Sequence, residues 1–187
     1  ESRRTVDELR RCRAGRDAVV LPLHGEMRAE DQDAALEPCP QRKIVVATNV
    51  AETSLTIDGI SLVIDSGLAR KARFDPYRGI NTLLIEKICR ASAEQRAGRA
   101  GRTRPGHCMR LWTEAEHSRL AEHDAPEIQR IDLAELALVL LEAGVRDLDS
   151  FPWMDAPDPR SMTRALTLLS DLGAVDVVAR DVEIFED

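Results

Sequence analysis

Three short runs rich in β-branched residues, Val19 to Leu23, Lys43 to Thr48 and Ser61 to Asp65, alternate with helix-forming stretches through the first third of the chain. Strands covered on both faces read as unbroken apolar runs, and strands separated by helices meet as parallel neighbours. The alternation therefore restricts this part to an α/β fold with a parallel sheet and crossover helices. MRAEDQDAAL, between the first two runs, is a good helix former. Thr5 to Arg16 reads as a helix with Val6 and Leu9 inward, so the segment is expected to open on a helix, its preceding strand missing. Only 12 residues separate Thr48 from Ser61, near the minimum for a crossover, which leaves room for a tight turn and a short helix.

Beyond Asp65 the pattern changes. ARKARF and INTLLIEKI flank Asp75-Pro76-Tyr77-Arg78-Gly79, a turn-rich five that suits an antiparallel hairpin. The hairpin is basic, with Arg70, Lys71, Arg73, Arg78 and Lys87 against Asp75 and Glu86. A helix capped by Ser92, a Pro105-Gly106 turn and a strand from Cys108 to Trp112 should follow. Thr113 is placed to cap the helix EAEHSRLAEH, with Glu116 at the capping-box position. From about Pro126 the chain turns helical and acidic: two amphipathic helices close near Gly144 and Gly173, and the tail AVDVVARDVEIF alternates like one or two strands. Two helices and a short β element suit a small winged-helix unit, and a plain helical appendage fits the same pattern. The expected division is 1–125, an α/β domain, and 126–187, a mainly helical one.

The net charge of -7 argues against nucleic acid until it is split. Glu1 to Thr113 holds twenty Lys and Arg against fifteen Asp and Glu, whereas Glu114 to Asp187 holds six against eighteen. The halves have different electrostatic tasks, or the acidic half is a solvated surface. No apolar run approaches a membrane span and ESRRTVDELRR is no secretory signal, so a soluble, cytoplasmic chain without a membrane partner is expected. Cys12, Cys39, Cys89 and Cys108 form no CxxC pair and make no ligand spacing with the four histidines, which predicts buried reduced thiols and no metal site.

The most informative string is ASAEQRAGRAGR, Ala91 to Arg102. In a helix, Gln95, Arg99 and Arg102 would project from one face. Gly98 and Gly101 would cost that helix roughly 1 kcal/mol each relative to Ala, which suits a place where another backbone or a ligand comes close. Guanidiniums can fork onto phosphate oxygens and an amide can orient a water, so the string suits a polyphosphate; the alternative is a solvated basic helix. The second string is KIVVATNVAETSLTIDGI, in which a buried strand ends at Thr48 and Thr53, Ser54 and Thr56 crowd the loop beyond. Ligands of open α/β sheets bind at the carboxyl ends of strands, where small polar side chains leave backbone N–H groups free for phosphate.

Together, TNVAETSLTIDG and QRAGRAGR closely resemble motifs V and VI of superfamily-two helicases, specifically the DEAH-box branch. SGLARKARFDP and ASAEQRAGRAGR share the phrasing of its HrpB-type members. The resemblance runs from about Leu21 to beyond Asp132. It implies a second RecA-like domain with an inserted hairpin, lacking its first strand, followed by the start of a winged-helix domain. It implies ATP with Mg in a site shared with a first RecA-like domain; this chain contains no GxxxxGK[ST] and no DEAH string. It further assigns Arg99 and Arg102 as arginine fingers, Gln95 as the contact to the γ-phosphate and water, and Asp58 as a neighbour of the ribose. Thr48, Asn49 and Thr53 would contact a nucleic-acid backbone, most readily that of single-stranded RNA. Arg70, Lys71, Arg73 and Arg78 would line a strand-separating hairpin. Two other readings are a non-catalytic nucleic-acid-binding module, weakened by the scarcity of aromatic residues near the basic region, and an acidic scaffold that docks a basic protein.

Overall fold

The computed structural model describes residues 2–53, 57–102, 104–178 and 181–184; Ser54 and Thr56, two of the expected loop hydroxyls, lie outside them. Helix α1 (Ser2–Arg11) buries Val6 and stops five residues short of the expected Arg16. The chain turns at Cys12 into a 3₁₀ turn, Arg13–Gly15, that folds back so tightly that a Cβ on Gly15 would collide with the Leu9 carbonyl. Strand β1 (Ala18–Leu23), helix α2 (Ala29–Leu36) and strand β2 (Arg42–Ala47) form a parallel crossover unit, in register from Ala18 opposite Arg42 to Leu23 opposite Ala47. Leu23 and Ala35 are fully buried in it. Lys43 Nζ reaches back to the carbonyls of Ala35 and Glu37 at 2.8 and 2.6 Å, which ties the end of α2 to β2.

The link beyond β2 contains the short helix α3 (Val50–Thr53) and a turn at Asp58-Gly59, where Gly59 has φ +76°. Strand β3 (Leu62–Asp65) is followed in the chain by the hairpin strands β4 (Leu68–Asp75) and β5 (Ile80–Lys87). Its turn forms as the residues dictate: Asp75 Oδ1 accepts from the N–H groups of Tyr77 and Arg78 at 2.9 and 3.3 Å, and Gly79 closes it at φ +67°. Helix α4 (Arg90–Ala97) and strand β6 (His107–Arg110) follow. β6 pairs in parallel with β3, Leu62 opposite His107 and Asp65 opposite Arg110. Among the described residues the parallel pairing thus forms two two-stranded sheets, β1–β2 and β3–β6.

Helix α5 (Glu114–Ser118) begins with the expected capping box, in which the Thr113 side chain accepts from Glu116 N–H while the Glu116 carboxylate accepts from Thr113 N–H. It ends at Ser118, five residues before the expected end. Helices α6 (Ala134–Glu142) and α7 (Pro159–Asp171) close at Gly144 and Gly173, both with positive φ, and strands β7 (Val175–Val178) and β8 (Asp181–Ile184) pair antiparallel. Asp158 caps α7 by accepting from Ser161 N–H, with Pro159 in the first turn.

The chain divides into two compact units. The first comprises residues 1–70 and 85–124, the second 71–84 and 125–187. In the second, Leu133, Ala137, Leu141, Leu148, Met162, Ala165, Leu169 and Val175 form one core. The hairpin tip is fastened into that unit: Phe74 N–H donates to the Arg130 carbonyl at 2.7 Å, and Arg130 Nη1 to the Ala72 carbonyl at 2.9 Å. Asn81 accepts from Asp132 N–H at 2.8 Å, and the Arg164 guanidinium lies 5.0 Å from the Phe74 ring centroid. Among the four cysteines, expected to be buried, only Cys89 is; Cys39 and Cys108 are half-buried and Cys12 is exposed, because α1 stops before it. No group of His, Cys, Asp and Glu among the described residues could hold a metal ion, and no described helix is long and apolar enough to cross a membrane.

Candidate functional site

The string from Ala91 to Arg102 is helical only as far as Ala97. Gly98 ends α4 at φ -64°, and Arg99 to Gly101 form consecutive turns that finish at Gly101 with φ +105°. The expected helical face carrying Gln95, Arg99 and Arg102 is therefore replaced by a helix-borne, exposed Gln95 and two arginines on a turn. The helix is also not capped by Ser92. Its N-cap is Cys89, whose Sγ accepts from Ser92 N–H at 3.4 Å, which frees the Ser92 hydroxyl for another partner.

The glycines divide by cause. Gly101 needs its positive φ; a Cβ on Gly98 would meet only the carbonyls of Gln95 and Glu94 at 3.4 Å. The close approach lies at Gly106, where a Cβ would stand 2.7 Å from Gly101 N and 2.8 Å from Ala100 Cβ. The turn bearing Arg99 and Arg102 is thus backed by the chain entering β6.

Arg99 is half-buried and Arg102 exposed. Burial pushes the Arg99 pKa down, and the nearby positive charge of Arg102 pushes it the same way, while Glu52 opposes both. Guanidiniums carry a permanent positive charge and can fork onto the oxygens of an anion. Their chemistry fits phosphate oxygens.

Behind the turn lies an ionic junction. Arg96 Nε donates to Glu52 Oε2 at 2.9 Å, and its Nη1 to Asp65 Oδ1 at 3.0 Å and to the Leu68 carbonyl at 3.1 Å. The freed Ser92 hydroxyl donates to Glu52 Oε1 at 2.7 Å. Asp65 is 3% exposed and also accepts from Gly67 N–H at 2.9 Å, while its Oδ2 has no hydrogen-bond partner. Removing one partner of so deeply buried a pair costs about 3 to 5 kcal/mol. Sequence reasoning missed Glu52, Ser92 and Asp65 as a set. Their one legible signal was a carboxylate at the end of β3 and another inside TNVAETSL.

Thr48 and Asn49 lie exposed at the carboxyl end of β2, the Thr48 N–H fixed on the Leu23 carbonyl at 3.0 Å, and Thr53 ends α3. Asp58 is exposed on a turn whose Gly59 carbonyl accepts from Arg104 Nη2 at 2.7 Å, which brings that turn to the loop just past Arg102. The hairpin cations are not gathered in the same way. Alternation along β4 sends Arg70 to one side and Lys71 and Arg73 to the other, and Arg70 belongs to the first unit whereas Lys71, Arg73 and Arg78 belong to the second. Arg78 leans back toward Asp75 at 3.8 Å. A cleft of about 190 Å³ lined by Gly67, Lys87, Trp112 and Glu116 includes none of the expected site residues.

A parallel crossover unit with a polar turn at a strand's carboxyl end, and a glycine-bounded arginine turn after α4, make this an α/β domain whose strand ends suit a phosphate ligand. Residues 1–104 match the helicase conserved C-terminal domain family, and the chain belongs to it, in its DEAH-box branch. It is 44% identical over 163 residues to the fission-yeast (Schizosaccharomyces pombe) pre-mRNA-splicing factor ATP-dependent RNA helicase prp22, a match that takes in 86% of this chain and 14% of that protein. It is also 44% identical over 160 residues to human probable ATP-dependent RNA helicase DHX34, covering 84% of the chain and 14% of the relative. The Escherichia coli DEAH/RHA helicase HrpB superimposes with a TM-score of 0.81 at 41% identity, over 89% of this chain and 21% of that structure. The fold is accordingly RecA-like α/β. The chain spans about one seventh of the length of these two curated relatives.

Proposed function

We propose that this chain is the C-terminal part of the motor of an ATP-dependent helicase that acts on nucleic acid, most readily single-stranded RNA. The observation that carries the reading is the turn after α4, which bears Arg99 and Arg102 and is backed by Gly106. In this reading residues 1–125 are the second RecA-like domain and 126–187 the start of a winged-helix domain. A first RecA-like domain supplies the phosphate-cradling loop and the carboxylate for Mg, since guanidiniums and an amide suit phosphate oxygens and not a cation. ATP brings the phosphoryl group to be transferred. Arg99 and Arg102 stabilise the charge that develops on it, Gln95 orients the attacking water, and Asp58 lies toward the ribose. Thr48, Asn49 and Thr53 hold the nucleic-acid backbone at the carboxyl end of β2, and Arg70, Lys71, Arg73 and Arg78 add phosphate contacts along the hairpin. The relatives named ATP-dependent RNA helicases support both substrates.

Arg102→Ala in the full-length protein tests this assignment. Removal of an arginine finger lowers turnover by about 10³ to 10⁵, and nucleic-acid binding without nucleotide should stay nearly intact. A variant that keeps more than roughly a tenth of parental turnover refutes the finger role.

A further inference from the structure

Glu52 stands between the two groups of residues assigned above. It lies on α3, between Asn49 and Thr53, yet its carboxylate is turned to α4, where Oε1 accepts from the Ser92 hydroxyl and Oε2 from Arg96 Nε. The Glu52 and Arg96 side chains are 14% and 15% exposed, so solvent screens the pair little. Arg96 is itself held at its other end by Asp65 and the Leu68 carbonyl. It cannot slip toward solvent without stranding a carboxylate that is 1% exposed. The joint is therefore stiff: a movement of α3 is passed to α4 rather than absorbed. Two carboxylates share one guanidinium, and Arg99 follows Arg96 by three residues on the same stretch of chain.

We propose that Glu52 and Arg96 are positioning residues that couple the Thr48–Thr53 turn to the Arg99–Arg102 turn, so that nucleic acid held at the first sets the placement of the arginines at the second. This rests on the function proposed above. A chain of hydrogen-bonded ion pairs between two rigid elements is the physical means by which one site biases another. Neither side chain touches phosphate or nucleic acid in this scheme.

The test uses the full-length enzyme, ATP and a single-stranded RNA oligonucleotide, and reads kcat with and without RNA, KM for ATP, and RNA binding. Glu52→Gln keeps the shape and removes the charge. The ratio of RNA-stimulated to basal kcat should fall about fivefold or more, while KM and RNA affinity stay within about twofold. Ser92→Ala, which removes one neutral donor to the same carboxylate, should lower the ratio less. A ratio equal to the parent's in Glu52→Gln overturns the proposal, whether both rates are unchanged or both fall together as a merely structural role requires. Should Glu52→Gln fail to fold by circular dichroism, Arg96→Lys decides instead: it keeps the charge and loses the fork, so an unchanged ratio there overturns the proposal too. Failure of the underlying function is distinguishable. Arg102→Ala with parental turnover removes the arginine role itself, whereas an inactive Arg102→Ala beside a normally stimulated Glu52→Gln removes only the coupling.

Discussion

Gly106→Ala is the substitution that most directly questions how the arginine turn is held. The added Cβ would stand 2.7 Å from Gly101 N, 2.8 Å from Ala100 Cβ and 2.9 Å from the Ala100 carbonyl carbon. None of these is the end of a flexible side chain, so the backbone must give. To reach an ordinary contact of about 3.4 Å the turn has to retreat by about 0.7 Å. Forcing atoms into a packed site costs about 1 to 3 kcal/mol. Taking about 2 kcal/mol, and 2 to 4 °C per kcal/mol for a chain of this size, the melting temperature should fall by about 4 to 8 °C. The displaced residues lie between Arg99 and Arg102, and misplacement approaching 1 Å costs up to about 10²-fold in rate, so turnover of the full-length protein should fall at least about tenfold. Thermal unfolding followed by circular dichroism reads the first effect and steady-state ATP hydrolysis the second. Gly98→Ala is the control: at φ -64° with contacts no closer than 3.4 Å, it should leave stability within about 1 kcal/mol of the parent or raise it. If Gly106→Ala unfolds with the parent, or if Gly98→Ala is the more damaging of the two, the account of the turn is wrong.

Three further outcomes are expected. The Glu116 carboxyl is held at a pKa of about 2, first by the Thr113 N–H and then by Lys87. A folded pKa below the ordinary 4.5 means its contribution is complete above pH 4.5 and is lost as the pH falls toward about 2; carboxyl titration by NMR should show that low midpoint, and Lys87→Ala should raise it. Arg130→Ala removes the bonds to the carbonyls of Ala72 and Ala125, both 2.9 Å, at a cost of about 1 to 2 kcal/mol, so amide exchange in the hairpin tip should quicken; unchanged exchange would refute its role as a fastener. Shortening Asp75–Gly79 to a two-residue turn in the full-length protein should impair unwinding far more than RNA-stimulated ATP hydrolysis, and parental unwinding would show the hairpin to be an ordinary surface element.

What the sequence by itself determined was everything whose cause lies within a few residues. The β-branched runs became β1, β2 and β3, and the helix between β1 and β2 made that pair parallel, whereas β3 found its parallel partner in β6. Asp75 and Gly79 made the hairpin turn, Thr113 and Glu116 the capping box, Gly144 and Gly173 the ends of α6 and α7, because a side chain bonding a backbone two or three residues away, or a glycine at positive φ, needs no distant partner. Tertiary structure decided where those local preferences gave way. The arginine string had helical spacing to Arg102, yet α4 ends at Ala97, and only the approach of Gly106 shows why the next residues turn. Ser92 was a plausible cap, but Cys89 took that place and Ser92 turned to a carboxylate 40 residues earlier. Glu52 and Asp65 looked like a loop acid and a strand-end acid; that they share Arg96, 44 and 31 residues onward, follows from packing α3 and the end of β3 against one helix. Burial makes such an ion pair costly to break and also makes it invisible beforehand, since no local pattern records which charges will be removed from water together.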